Sequence, residues 1–357
     1  MKIKRRDSFL LGVLVCLLSL FWSCGNGSSL TLLSYNVENL FDDVDNGTEY
    51  REYDPSSGRW NGELMRIKLA NIARVIRESV SGGPDIVCLQ EVENRHVLEL
   101  LASEYLAGLH YRVIYAADSG TTATQVAFLS RLPVLRTHIH RVPEWQGIPL
   151  RYIVEFEVKA GDGVLHIFNN HWKSKSGGEA RTEKARLLAA EVLVSRIREL
   201  EQADPRTDII IVGDLNECYD EYIRKKGRYQ TALIPLSSRV PEAFFSQSLF
   251  LTPDPRQTGI QNGKIVLLEC WYFLDTAERG SYVFKKEWQT LDHILLSAGL
   301  FDERGVYTRQ RDFSVVRRAF MLNPKTGYPL RWRARSANKG YSDHLPLLIR
   351  LYFGDSP

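Results

Sequence analysis

Short apolar runs recur along the chain from Leu30 onward, each closed by turn residues. Leu30–Tyr35, Asp85–Leu89, Val126–Leu129, Tyr152–Val158, Val164–Phe168, Asp208–Val212, His293–Leu296 and Leu345–Tyr352 have the length and β-branched content of buried strands. Between some of them the apolar period changes. Glu63–Val80 carries apolar residues at three- and four-residue spacing and stops at Ser81-Gly82-Gly83-Pro84, a helix exit. Ala180–Leu200 has the same spacing, and Asn94–Ala107 reads as a third helix. Strands and helices are mixed and several links read as hairpins. This predicts an α+β arrangement of packed sheets with helices outside, rather than a purely parallel sheet. Residues 220–290 carry the weakest pattern and are expected to hold insertion loops. No repeat or linker interrupts the run, so residues 30–353 read as one domain.

The first residues follow a different rule. Residues 1–23, MKIKRRDSFLLGVLVCLLSLFWS, place a basic stretch before an apolar run from Phe9 to Trp22, the layout of a secretory signal peptide. The run is short for a spanning helix, which needs about 20 apolar residues; the alternative is an uncleaved anchor. Ser23-Cys24-Gly25 and the polar residues after it resemble a bacterial lipoprotein signal, although the bulky Trp22 departs from the usual pattern. The resemblance implies a lipidated Cys24, a tether over residues 24–29, and an extracytoplasmic domain held at a bacterial membrane.

Composition narrows the class. Of 357 residues, 44% are hydrophobic and 25% charged, which excludes a disordered or collagen-like chain. Lys and Arg number 46 against 43 Asp and Glu, and residues 1–23 hold four of the basic and one of the acidic residues. The remainder is formally neutral, with no overall basic footprint. Beyond Cys24, Cys88, Cys218 and Cys270 fit no zinc spacing. Cys88 sits in an apolar strand, and a Cys218–Cys270 pair is left open.

The candidate chemistry lies at strand ends. Leu32–Tyr35 runs into Asn36, Ile86–Leu89 into Gln90-Glu91, Leu165–Phe168 into Asn169-Asn170-His171, and Ile209–Val212 into Gly213-Asp214-Leu215-Asn216. A single polar residue after a strand is more often a cap or turn residue. Four such ends point to a shared site, because a rigid sheet aims its strand ends at one place. Asp292 opens a further strand, and Asp343-His344 enters the last one. A carboxylate bonded to one imidazole nitrogen makes the other a better base; the alternative for Asp343-His344 is a surface turn. Asn, Glu and Asp supply hard oxygen donors, which suit Mg²⁺, Mn²⁺ or Ca²⁺ rather than zinc. Walker, Gly-x-Gly-x-x-Gly, Gly-x-Ser-x-Gly and His-Glu-x-x-His motifs are absent from the sequence.

The blocks SYNVENLFD (34–42), DIVCLQEVEN (85–94), VAFLSRLPV (126–134), HIFNNHWKSKSGG (166–178), IIIVGDLNE (209–217), LDHILLS (291–297) and YSDHLPLLI (341–349) occur in the order of a known family. The chain resembles the endonuclease/exonuclease/phosphatase superfamily. The resemblance implies a deoxyribonuclease I-like four-layer sandwich, two packed mixed β-sheets flanked by helices, and metal-dependent hydrolysis of phosphate esters. It implies Glu91 as main metal ligand beside Asn36, with Asp343 near the metal or a second position. It implies His344 as the base, oriented by Asp292, with His171 on the phosphate. Asp214 and Asn216 would position the nucleophile and hold a phosphate oxygen. His293, where many relatives carry an aromatic residue, is expected on the opposite face with a structural part. Glu38 is a further candidate for the metal region.

The substrate is less legible. Lys173–Arg186 and residues 301–340, the latter with Arg331-Trp332-Arg333-Ala334-Arg335, are locally basic and could grip a phosphate backbone. Solvated basic faces are the bland alternative. HWKSKSGG also looks like secreted nucleases of the family, which favours nucleic acid as substrate and an endonuclease. The alternatives are a lipid or small-molecule phosphodiesterase or phosphatase, and a non-catalytic family member that binds a partner. No protein partner is implied, and the chain reads as a monomer.

Overall fold

The structure is a computed structural model and describes residues 28–118, 120–336 and 339–353. The leader, Cys24 and most of the proposed tether lie outside the described residues. The first sheet is built from β1 (Ser28–Leu40), β2 (Ile86–Val92), β3 (Val113–Ala116) and β4 (Gln125–Ser130). Three strands near the C-terminus, β16 (Val306–Tyr307), β17 (Phe313–Val315) and β18 (Leu347–Phe353), complete it. Its order is β16-β18-β1-β2-β4-β3, with β17 also on β18. The second sheet contains β5 (Val134–His140), β6 (Ile153–Ala160), β7 (Gly163–His171), β8 (Asp208–Asp214), β9 (Leu233–Pro235), β10 (Leu249–Thr252), β11 (Gly259–Gln261), β12 (Lys264–Glu269) and β15 (Asp292–Leu296). Its order is β5-β6-β7-β8-β15-β12-β10-β9, with β11 on β12. A separate hairpin pairs β13 (Tyr282–Phe284) with β14 (Glu287–Gln289).

Strand alternation sorts most of the apolar residues into three large cores, which make four layers, beside a small fourth cluster of Ile234, Phe250 and Val266. Leu33, Tyr35, Val87 and Leu89 face Leu69, Ile72, Ala73 and Ile76 of α1 (Gly62–Ser79) and Val97 and Leu98 of α2 (Arg95–Leu100). Their neighbours Leu32, Ile86, Cys88 and Phe128 point the other way, onto Phe156, Leu165, Ile167, Ile210, Val212 and Ile294 of the second sheet. Phe128 and Phe156 stack at 3.9 Å across that gap. The far face of the second sheet, with Ile209, Ile211 and Leu295, takes Ala189, Ala190, Leu193 and Ile197 of α3 (Glu179–Ala203).

The helix boundaries follow local chemistry. Asn61 and Asn94 cap α1 and α2 through their side-chain oxygens, and Gly82 and Gly83 leave α1 with positive φ. The strands and helices expected from periodicity are present, most within a few residues of the expected bounds. Residues 220–290 are the exception, since they supply β9–β12 to the second sheet as well as loops. Those strands are three to six residues long, too short to show a period. Cys88, Cys218 and Cys270 are all free and buried.

Candidate active site

Parallel pairing brings the polar strand ends together. In β1–β2 Asn36 sits opposite Gln90, and in β7–β8 His171 sits opposite Asp214. The antiparallel β15 begins at the same end, with Asp292 opposite Asp214. His344 lies just before β18, whose Leu347 pairs with Ser34 of β1. Both sheets therefore end at one edge, where an open cleft of about 820 Å³ is lined by Glu38, Glu91, His171, Asp214, Asn216, Asp343 and His344, among others.

Two irregularities aim the side chains. Simple alternation would send Glu91 toward the helices with Val87 and Leu89. A register shift in β2 and a left-handed backbone at Glu91 (φ 66°) turn it into the cleft instead. The matching shift in β1 gives Glu38 and Asn39 φ of 52° and 63°. Such non-glycine conformations cost on the order of 1–3 kcal/mol and collect at functional sites. Asn216 (φ 53°) is also left-handed, which asparagine tolerates; its N–H donates to Asp214 at 2.9 Å and its Nδ2 to the Trp172 carbonyl at 3.1 Å.

Asn36 Nδ2 donates to Glu91 Oε1 at 3.1 Å and to Asp214 Oδ2 at 3.0 Å. His171 Nε2 stands 3.7 Å from each of the same two oxygens. His344 Nδ1 meets Asp292 Oδ2 at 2.8 Å, while its Nε2 faces Asp214 Oδ2 and Asp343 Oδ1, each at 3.9 Å. All eight residues expected from the sequence thus meet at one place. His293 points to the opposite face, buried between Glu269 (2.6 Å) and the Glu217 carbonyl (2.8 Å).

The two site histidines are tuned in opposite directions. Burial, with Arg151, His344 and Lys173 nearby, holds His171 well below its ordinary value, so it is neutral. Burial also opposes the His344 imidazolium, but Asp292, its hydrogen bond, Asp214 and Asp343 outweigh it and raise His344 well above its ordinary value. Burial and the charges of Asp292 and Glu91 push Asp214 up to about 7, against the opposing pull of His344. Opposed shifts of neighbouring groups mark acid–base assignments.

The donor set fits a hard divalent cation. Glu91, His171 and Asp214 each offer a ligand atom within 4.8 Å of the others, and Asp214, Asp292 and His344 form a second such group. Burial first, and then the charges of Asp292 and Glu91, raise the Asp214 carboxyl, and a cation held beside it would favour its carboxylate form. Oxygen donors dominate the cluster, as Mg²⁺, Mn²⁺ and Ca²⁺ prefer.

Sequence reasoning missed several supporting residues. Ser281 donates to Asp292, and the Tyr282 ring lies 4.7 Å from the His344 ring. Both belong to the segment without a readable period, and only the hairpin-like Phe284-Lys285-Lys286-Glu287 could have marked it. Arg331 pairs with Glu38 at 3.0 Å and lies 3.6 Å from Asp343. Glu38 is raised to about 7 by burial and Asp343, and sits at the cleft wall. The basic block Lys173–Arg186 is in part structural. Arg186 is fully buried against Glu183 and Glu217, and Lys175 pairs with Glu221 and Glu179.

A family model described as Endonuclease/Exonuclease/phosphatase family matches residues 31–228. No curated protein sequence matches the chain. Among solved structures, TDP2 of D. rerio, complexed with single strand DNA product, superposes with a TM-score of 0.52 at 16% identity, over 91% of this chain and 99% of that one. An endonuclease/exonuclease/phosphatase family protein of Bacteroides thetaiotaomicron gives 0.51 at 19% identity, over 92% and 99%. The mannosyl-6-phosphatase Bt3783 of Bacteroides thetaiotaomicron gives 0.52 at 18% identity, over 91% and 100%.

Proposed function

The chain belongs to the endonuclease/exonuclease/phosphatase family, and from that premise we propose that it is a divalent-metal-dependent phosphodiesterase that cuts nucleic acid outside the cytoplasm. The observation that carries the catalytic reading is the convergence on Asp214 of His171, which also faces Glu91, and of His344, which is held by Asp292. Lys285 on the cleft wall, outside any ion pair among the described residues, with Tyr282 and the half-exposed Phe284, favours nucleic acid. Cations that follow a backbone and rings that stack on bases are the two elements such binding needs.

Glu91 and Asn36 would hold the cation, with Asp214 and Asp343 close by. When bound, it neutralises charge on the phosphate oxygens. The protein does the rest. Water attacks phosphorus in line with the departing ester oxygen, and His344 Nε2 takes the water proton. Asp292 holds Nδ1 and stabilises the imidazolium that forms. His171, kept neutral by burial, donates a hydrogen bond to a phosphate oxygen without adding a charge. Asp214 fixes the Asn216 backbone, and Asn216 presents a polar contact to the phosphate. The new P–O bond replaces the old one, the departing ester oxygen takes a proton from solvent and His344 returns its own to solvent, which leaves a phosphomonoester and an alcohol.

Support for the location comes from the leader of residues 1–23 and from Cys24, which we propose is lipidated. Replacing Cys24 with Ser should release the protein from the membrane fraction. The substrate test takes the chain without residues 1–24 and supplies Mg²⁺, Mn²⁺ or Ca²⁺ against an EDTA control. Plasmid DNA, RNA, sphingomyelin, mannose 6-phosphate and bis-p-nitrophenyl phosphate are compared. Metal-dependent cutting of DNA or RNA is expected. Hydrolysis of lipid or small esters alone would retain the chemistry and discard nucleic acid.

A further inference from the structure

A second cavity, of about 570 Å³, opens beside the catalytic cleft, and Glu38, Asn39 and Arg331 form a wall common to both. Packed rings line and underlie it. Phe41 meets Tyr50 edge-on at 5.6 Å and stacks on Tyr53 at 4.9 Å. Tyr53 meets Trp60 at 5.0 Å, and Trp60 meets Trp332 at 6.2 Å. Tyr53, Trp60 and Trp332 are buried, while Tyr50 is 39% exposed and presents its ring at the surface.

Arginines form the rim. Arg59, Arg333 and Arg335 line the cavity, are exposed, and make no ion pair among the described residues. Arg331, at the threshold, is committed to Glu38 and Asp343. The strip that carries them is pinned in place. Trp332 N–H donates to the Glu38 carboxylate at 2.7 Å, the Lys68 ammonium sits 4.9 Å from the Trp332 ring, and Arg333 N–H bonds the Lys339 carbonyl at 2.8 Å. Arg333 and Arg335 alternate with buried Trp332 and half-buried Ala334, so the strip keeps its guanidinium groups outward.

A basic run alone is a solvated face. Here three guanidinium groups outside any ion pair surround a concavity with a rigid aromatic floor, continuous with the proposed catalytic cleft. Guanidinium forks match phosphate oxygens, and an exposed tyrosine accepts a stacked base. Among the described residues, the acids lining the cavity are Glu52 and Glu38, against four arginines. We propose that this cavity is a second backbone subsite, which receives the polynucleotide strand as it leaves the reacting phosphate. The proposal rests on the nucleic-acid reading above and deepens it. It makes the enzyme prefer a strand that extends past the scissile bond, whereas a small diester occupies the cleft alone.

The test compares the protein with its Arg59→Ala/Arg333→Ala/Arg335→Ala variant, none of these residues touching the catalytic cluster. Substrates are a long single-stranded oligonucleotide and bis-p-nitrophenyl phosphate, assayed across a salt series. For the oligonucleotide, KM is expected to rise roughly tenfold with kcat held. The slope of log KM against log salt should flatten by about 0.7 for each phosphate that the variant no longer neutralises. Turnover of the small diester, which also reports correct folding, should not change. An oligonucleotide KM and salt slope equal to the parent's would overturn the subsite and leave nuclease activity standing. A parent protein that hydrolyses only the small diester would overturn both.

Discussion

Asp292→Asn separates charge from shape at the proposed Asp292–His344 dyad. Asp292 is 2% exposed, and its Oδ2 accepts from both His344 Nδ1, at 2.8 Å, and Ser281. An asparagine oxygen in that position keeps both hydrogen bonds and removes only the charge. At 2.8 Å and an effective dielectric of about 20, carboxylate and imidazolium attract by roughly 6 kcal/mol. Desolvation consumes most of this, and a charge-assisted hydrogen bond nets about 1.5–3 kcal/mol. At about 1.4 kcal/mol per tenfold, turnover should fall roughly 10- to 100-fold. KM should hold, because Asp292 does not face the substrate. The pH profile supplies the readout that a merely structural change would not move. In the proposed mechanism His344 must be neutral to accept a proton, and its carboxylate neighbours raise its pKa well above the ordinary value. Without the Asp292 charge, burial lowers that value, so the acid limb of kcat/KM should move to lower pH. The assay is bis-p-nitrophenyl phosphate hydrolysis at saturating Mg²⁺ from acid to alkaline pH, with circular dichroism to verify the fold. Unchanged turnover with an unchanged acid limb would remove His344 as the base.

Three further predictions concern the scaffold. Glu155 is buried and bonded to His140 (2.7 Å), His166 (3.0 Å) and Arg196 (2.8 and 3.1 Å), so Glu155→Ala should cost about 3 kcal/mol in urea unfolding. Gly213 has φ 124°, and an added Cβ would lie 2.0 Å from the Asn170 carbonyl oxygen; Gly213→Ala should cost more than about 4 kcal/mol and leave little soluble protein. Burial opposes the His293 charge, but Glu269 and the Glu217 carbonyl outweigh it and raise His293 above 6.5. Its stabilising share is therefore complete below pH 6.5 and lost as pH rises through the raised value, and His293→Gln should flatten the urea midpoint over that window.

Periodicity alone located most of the long strands and the helices, because a half-buried element repeats its apolar residues at the period of its own backbone. It also placed His171, Asp214 and Asp292 at strand ends, where a sheet can aim them; Asn36, expected at an end, lies inside β1 where its regular pairing with β2 breaks. It failed for β9–β12, whose burial comes from neighbouring strands rather than from any internal pattern. It also failed for Ser281 and Tyr282, which reach the site because long-range contacts, Tyr282 with His344 and the Leu345 N–H with the Ser281 carbonyl, dock their hairpin there.

The sequence by itself determined the family, the order of the conspicuous sequence blocks and the oxygen-rich donor set, since these are properties of residue type and spacing. Only the tertiary structure decided which way Glu91 points, because alternation sends it to the helices and a bulge returns it. Only packing decided the fate of the basic residues. Arg186 was spent on a buried ion pair with Glu183, while Arg333 and Arg335, equally basic on paper, were left at a cavity rim outside any ion pair among the described residues. The tuning of two identical imidazoles in opposite directions is likewise tertiary. Burial and the positive charges of Arg151, His344 and Lys173 lower His171, whereas Asp292, Asp214 and Asp343 outweigh burial and raise His344.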